Sequence, residues 1–136
     1  MSVEFVDTNV LVYAHDRNAV TKREPAAALL ARLFRERTGA LSTQVCIEFY
    51  VAATRKLQVS SEHAEAVIKD LGPWLLHRPT HADVVNSIRL QRRHQLSWWD
   101  AMIVNSAIEM EARILWSEDL SDGQRFGRVT VRNPFL

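Results

Sequence analysis

The stretch Leu96-Ser97-Trp98-Trp99-Asp100-Ala101-Met102-Ile103-Val104 decides how the rest of the chain is read. It predicts the first turns of a mostly apolar helix with one carboxylate set among large hydrophobic side chains. Ser97 followed three residues later by Asp100 is a capping-box-like pattern, in which the hydroxyl accepts from an orphan backbone N–H. Asp100 also suits the positive field of a helix N-terminus. Taken alone, Asp100 is most simply a cap. The alternative is that it is one of several acids, from distant parts of the chain, that meet around a metal ion.

Outward from this helix the chain alternates short strands with longer helices. On the C-terminal side, the helix runs to about Ala112 and Arg113–Ser117 reads as a strand. An acidic turn, Glu118 to Gly123, comes next, and Arg128–Arg132 alternates as a final strand before Asn133-Pro134. On the N-terminal side, Thr80 and Asp83 form a second capping-box pattern, opening a helix to about His94, and Trp74–His77 is a brief apolar run of strand character. Val3–Val6 is a short buried strand, and Asp7-Thr8-Asn9 ends it and caps a short helix through Ala14. His15–Thr21 is a loop. Pro25 suits a first helical turn, and Ala26–Arg37 reads as a helix closed by Gly39. Ala40–Ser42 is a candidate strand, with Thr43 capping a helix over Gln44–Leu57. Ser60-Ser61-Glu62 opens another helix, which ends near Gly72-Pro73. This alternation predicts an α/β domain with a mostly parallel sheet, and such sheets bind ligands beyond the carboxyl ends of their strands. Asp7 and Asp119 both fall at such ends.

The 136 residues predict one domain, 1–136. A single cysteine, Cys46, excludes an intrachain disulfide and any Cys/His zinc pattern; it reads as a small core residue. The first residues lack the pattern of a signal peptide, and no apolar run is long enough to span a bilayer. No membrane association is therefore expected, and the reducing cytoplasm is the natural compartment. Seventeen Lys and Arg face sixteen Asp and Glu, so net charge says little about partners. The local basic clusters say more. Arg17, Lys22 and Arg23, and Arg89, Arg92 and Arg93, are candidate phosphate contacts, although each singly is best read as a solvated helix residue. Trp98 and Trp99 read as core or interface side chains rather than base-stacking platforms, and Glu118 as facing solvent.

On the Gln44–Leu57 helix, Val45, Glu48, Val51 and Ala52 share one face. An ionised Glu48 on an apolar stripe either meets a cation or lies at the rim. If Asp7, Glu48, Asp100 and Asp119 converge, their repulsion and desolvation raise some of their pKa values. A hard divalent cation resolves this, and Mg²⁺ or Mn²⁺ suits an all-carboxylate site better than zinc. Asn9 and Ser117 are polar side chains placed to orient such ligands.

These motifs, in this order, resemble the PIN-domain ribonucleases, and most closely the VapC-type toxins of bacterial toxin–antitoxin modules. Val6-Asp7-Thr8-Asn9-Val10-Leu11 is similar to the family's first acidic motif, Glu48 after Ser42-Thr43 to its second acid, and Leu96–Val104 to its third motif. Ser117-Glu118-Asp119-Leu120 with Gly123-Gln124 resembles the fourth, and Val129–Phe135 the closing strand. The resemblance implies a PIN-like three-layer α/β/α fold, with a mostly parallel central sheet of four to five strands. It also implies an endoribonuclease dependent on Mg²⁺ or Mn²⁺ and active on single-stranded or looped RNA. By motif, Asp7, Glu48, Asp100 and Asp119 carry over as metal ligands. Asp122 is either a further ligand or a turn former before Gly123. Implied partners are the RNA substrate, a cognate antitoxin and a second copy in a homodimer. Two rivals are weaker. A phosphatase using Asp7 as nucleophile would want a second acid where Asn9 stands. A PIN-fold module that binds RNA or antitoxin without cutting would have no need of all four acids.

Overall fold

The computed structural model describes residues 2–136. In chain order the elements are β1 (Val3–Val6), α1 (Thr8–Ala14), α2 (Arg23–Glu36), β2 (Gly39–Ser42), α3 (Thr43–Arg55), α4 (Ser61–Asp70) and β3 (Leu75–His77). They continue with α5 (His81–His94), α6 (Trp98–Glu109), β4 (Ala112–Trp116), β5 (Arg125–Phe126) and β6 (Val129–Arg132). One sheet holds all six strands in the order β3-β2-β1-β4-β6-β5, parallel except for β5 against β6. The sixth strand exceeds the expected four to five. It is β5, two residues long and returned by Gly127 at φ 61°, too short for an alternating pattern to reveal.

The strand order places the site. From β1 the chain steps outward to β2 and β3, then crosses back to enter β4 on the other side of β1. Right-handed crossovers in opposite directions put α1–α4 on one face and α5–α6 on the other. The direction changes between β1 and β4, the position where such sheets open a crevice at their carboxyl ends. Buried Phe5, Val6, Leu41, Leu115 and Val131 line the strands, with Val10, Leu33, Phe49, Ile103 and Val104 against them. Among the described residues, no helix is long and apolar enough to cross a membrane.

Several element ends differ from the sequence reading. Ser42, not Thr43, caps α3, accepting from the Val45 N–H at 3.3 Å. Helix α2 stops at Arg37, which takes the left-handed conformation at φ 59°, so Gly39 caps nothing and instead opens β2. A glycine is needed there because the Trp74 ring lies across it: a Cβ would sit 2.5 Å from Trp74 Cζ3. Gly39→Ala is expected to cost about 1–3 kcal/mol in urea unfolding, the range for overpacking a filled core. An unchanged midpoint would show that the ring moves aside freely.

Helix α6, which carries Asp100, is held from outside the site. Ser97 caps it by accepting the Asp100 N–H at 3.2 Å. Farther along, Asn105 Nδ2 donates to Asp83 Oδ1 at 2.9 Å, and His77 joins Ser106 at 2.8 Å on one ring nitrogen and Asp83 at 3.3 Å on the other. Asp83 also accepts from the Thr80 N–H at 2.7 Å, completing the predicted capping box of α5. This buried network fastens α6 to α5 and β3, so the start of α6 sits on a fixed base.

Candidate metal centre and its cleft

Asp7 leaves β1 as the N-cap of α1. Its Oδ1 accepts the Thr8 N–H at 2.7 Å, and its Oδ2 accepts the hydroxyl of fully buried Ser117 at 2.7 Å. Ser117 follows β4 directly, and its oxygen accepts the Asp119 N–H at 3.1 Å. One serine thus ties the acid after β1 to the acid after β4. Asp7, Asp100 and Asp119 each offer a carboxylate oxygen, and these atoms lie within 4.8 Å of one another. Three acids 93 and 19 residues apart along the chain have become neighbours.

Electrostatically the cluster is unfavourable without a counter-charge. Burial, reinforced by Asp119 and Asp100, pushes Asp7 up to about 7, although its bonds from Ser117 and Thr8 favour the anion. Asp119 is also raised, by burial first and then by Asp100 and Glu118. Asn9 lies close enough to favour the charged Asp119, yet its Nδ2 and Oδ1 are both buried without a hydrogen-bond partner. Orphaned buried polar atoms are costly, and a ligand or hydrated ion at the acids would satisfy them. The donor set is oxygen only, which fits a hard divalent cation.

The acids open onto a cleft of about 1270 Å³. Glu48 lines it but lies outside the group of three. Its Oε1 accepts from Thr8 Oγ1 at 2.5 Å and its Oε2 from Gln44 Nε2 at 3.3 Å, so it meets hydrogen-bond donors on an otherwise apolar stripe. Asp122 does not line the cleft. Its carboxylate accepts the Asn133 N–H at 2.9 Å, which makes it a turn former bracing the end of β6. Trp99 is 60% exposed and lines the cleft, contrary to a core role, while its carbonyl accepts from Gln44 Nε2 at 3.2 Å. Trp98 is half-buried.

The basic candidates fare differently. Lys22 is engaged: it pairs with Glu118 and sits 4.8 Å from the Tyr13 ring centroid. Glu118 is therefore half-buried rather than turned to solvent, and this pair fastens the Asp119 loop to the start of α2. Arg17, Arg23, Arg89, Arg92 and Arg93 are exposed, and none lines the cleft. Arg92 and Arg93 lie in the last turn of α5, where cations suit the helix dipole. Two cations that do line the cleft, Arg55 and Lys56, went unnoticed in the sequence. Their signal was present: Arg55 continues the Gln44–Glu48–Ala52 face of α3.

Solved structures share this architecture. A toxin–antitoxin complex from Klebsiella pneumoniae matches at TM-score 0.70 and 20% identity, over 98% of each chain. VapC20 of Mycobacterium tuberculosis, described as a Sarcin-Ricin loop cleaving toxin, matches at 0.68 and 17%, over 85% of this chain and 91% of its own. VapBC2 from Rickettsia felis, bound to a DNA fragment from its promoter, matches at 0.68 and 17%, over 96% and 98%. No curated protein sequence matches the chain. The PIN domain family model matches residues 5–128, a span that includes the end of β1, the acids after β1 and β4, and the start of α6. With that match over most of its length, the chain belongs to the PIN-domain family.

Proposed function

We propose that the chain is a metal-dependent endoribonuclease acting on single-stranded or looped RNA, and the toxin of a toxin–antitoxin pair. The observation that carries this reading is the meeting of three acids at the sheet's switch point, at the mouth of an open cleft. Asp7, Asp100 and Asp119 would hold Mg²⁺ or Mn²⁺. A bound ion of this kind polarises a phosphodiester and lowers the pKa of a water. Ser117 holds the Asp7 carboxylate in one orientation and sets the Asp119 backbone beside it. Glu48, anchored by Thr8 and Gln44, is assigned to orient the attacking water or a second ion. Asn9, with neither amide atom satisfied, is assigned to the hydration around the acids.

The looped substrate and the antitoxin are supported by what the solved neighbours are: a toxin that cleaves the Sarcin-Ricin loop, and toxins in complex with antitoxins. A homodimer is supported by exposed apolar residues on consecutive elements, Leu75 and Leu76 on edge strand β3 and Val84, Val85 and Ile88 on α5. A cytoplasmic site of action follows from an RNA target.

The test is cleavage of a stem-loop RNA by the purified chain. Activity should fall at least about 100-fold in chelator and return with added Mg²⁺ or Mn²⁺. Cleavage undiminished in chelator would remove the metal, and RNA bound but uncut at saturating metal would establish a non-cutting module.

A further inference from the structure

We infer that the end of the cleft remote from the acids is a phosphate-binding subsite for single-stranded RNA, built by Arg55 with Lys56. This rests on the reading of the cleft as an RNA site. Gln44, Glu48, Ala52 and Arg55 follow one another along α3 at intervals of four, four and three residues, and all line the cleft. Such spacing is one helix face. The wall therefore changes chemistry along its length. A carboxylate, Glu48, stands near the acid cluster, then Val51, 42% exposed, and Ala52, then two cations.

Arg55 lies seven residues beyond Glu48, two helical turns or about 10 Å at ~1.5 Å per residue. A stacked strand advances ~3.4 Å per nucleotide. An RNA whose scissile phosphate lies at the acids would thus present another phosphate to Arg55 two or three nucleotides away, with the intervening bases over the aliphatic wall. Among the described residues, Arg55 and Lys56 are the only cations lining the cleft, and neither forms a salt bridge. An acidic pocket by itself repels a polyanion; cations at the far end supply attraction where no ion is bound. The plainer role of Arg55, a cation in the last turn of α3, predicts no effect on RNA.

The test uses the Asp100→Asn chain, so that RNA is bound and not cut, with Mg²⁺ and a labelled single-stranded RNA of about 12 nucleotides. Binding is titrated between about 50 and 200 mM NaCl. Adding Arg55→Gln is expected to weaken binding about three- to fivefold. It should also flatten the slope of log affinity against log salt by about 0.7, the loss of one phosphate contact on a single strand. Arg55→Lys should keep the slope, and Arg128→Gln, away from the cleft, should change neither. A neutral methylphosphonate two or three nucleotides from the cleaved bond should weaken the parent but weaken Arg55→Gln no further. An unchanged slope in Arg55→Gln overturns the subsite while RNA binding by the parent stands. A parent that binds no RNA overturns the subsite together with the reading beneath it.

Discussion

Without metal, the chain carrying Asp7→Asn is expected to melt roughly 5–10 °C above the unaltered protein at pH 8, and with Mg²⁺ to cut RNA about 10³-fold more slowly than it. Both effects have one cause. The Asp7 carboxyl titrates near 7 in the folded protein and near 3.8 when freely solvated. Below about pH 4 it is protonated folded or unfolded and leaves stability unchanged. Between about 4 and 7 the unfolded chain releases a proton that the folded chain retains, so stability falls as pH rises. Above about 7 the whole cost is present, about 2–4 kcal/mol. An amide has no proton to lose there and can still accept from Ser117 or Thr8. Thermal melts in chelator from pH 4 to 9 check this: the gap between the two proteins should open with rising pH. Asp119, also raised, leaves a smaller slope of the same sign in the variant. A gap independent of pH, or a variant that melts lower throughout, would contradict the account. With Mg²⁺ present the unaltered protein should recover, since a ligand bound only by the folded state stabilises it.

Asp100→Asn and Glu48→Gln should separate metal binding from water positioning. Asp100 is one of three carboxylates within 4.8 Å. Its loss removes a third of the donors from the cluster and should weaken Mn²⁺ binding about 100-fold in calorimetry, still saturable at high ion concentration, with cleavage down about 10³-fold or more. Glu48 stands outside that group with both oxygens hydrogen-bonded. Glu48→Gln should keep Mn²⁺ affinity within about tenfold and lower cleavage about 10- to 100-fold. Equal loss of Mn²⁺ in both variants would move Glu48 into the ion's immediate shell.

Much of this site was readable before folding because its acids sit where local rules are strong. Asp7 ends a β-branched strand and Asp119 follows another, while Asp100 lies three residues after a capping serine. Glu48 was readable as a carboxylate on an apolar face, but its answer, hydroxyl and amide donors from Thr8 and Gln44, depends on a neighbour forty residues away. Lys22 with Glu118 escaped the sequence for the same reason, being 96 residues apart. Gly39 was misread because a glycine after a helix signals a cap, and only the position of Trp74 shows the other need. Trp99, expected in the core or an interface because tryptophans bury on average, is 60% exposed at the rim of a cleft, which excludes the core alone.

The serine that joins Asp7 to Asp119 has a temporal consequence. Ser117 can reach Asp7 only after β4 has paired with β1, and these segments are more than a hundred residues apart. A polypeptide still leaving the ribosome carries its first acid almost at once, but cannot gather the cluster until nearly its full length has emerged. Under the proposed function the unfinished product would lack its metal site, and truncation anywhere before β4 would leave that site unformed.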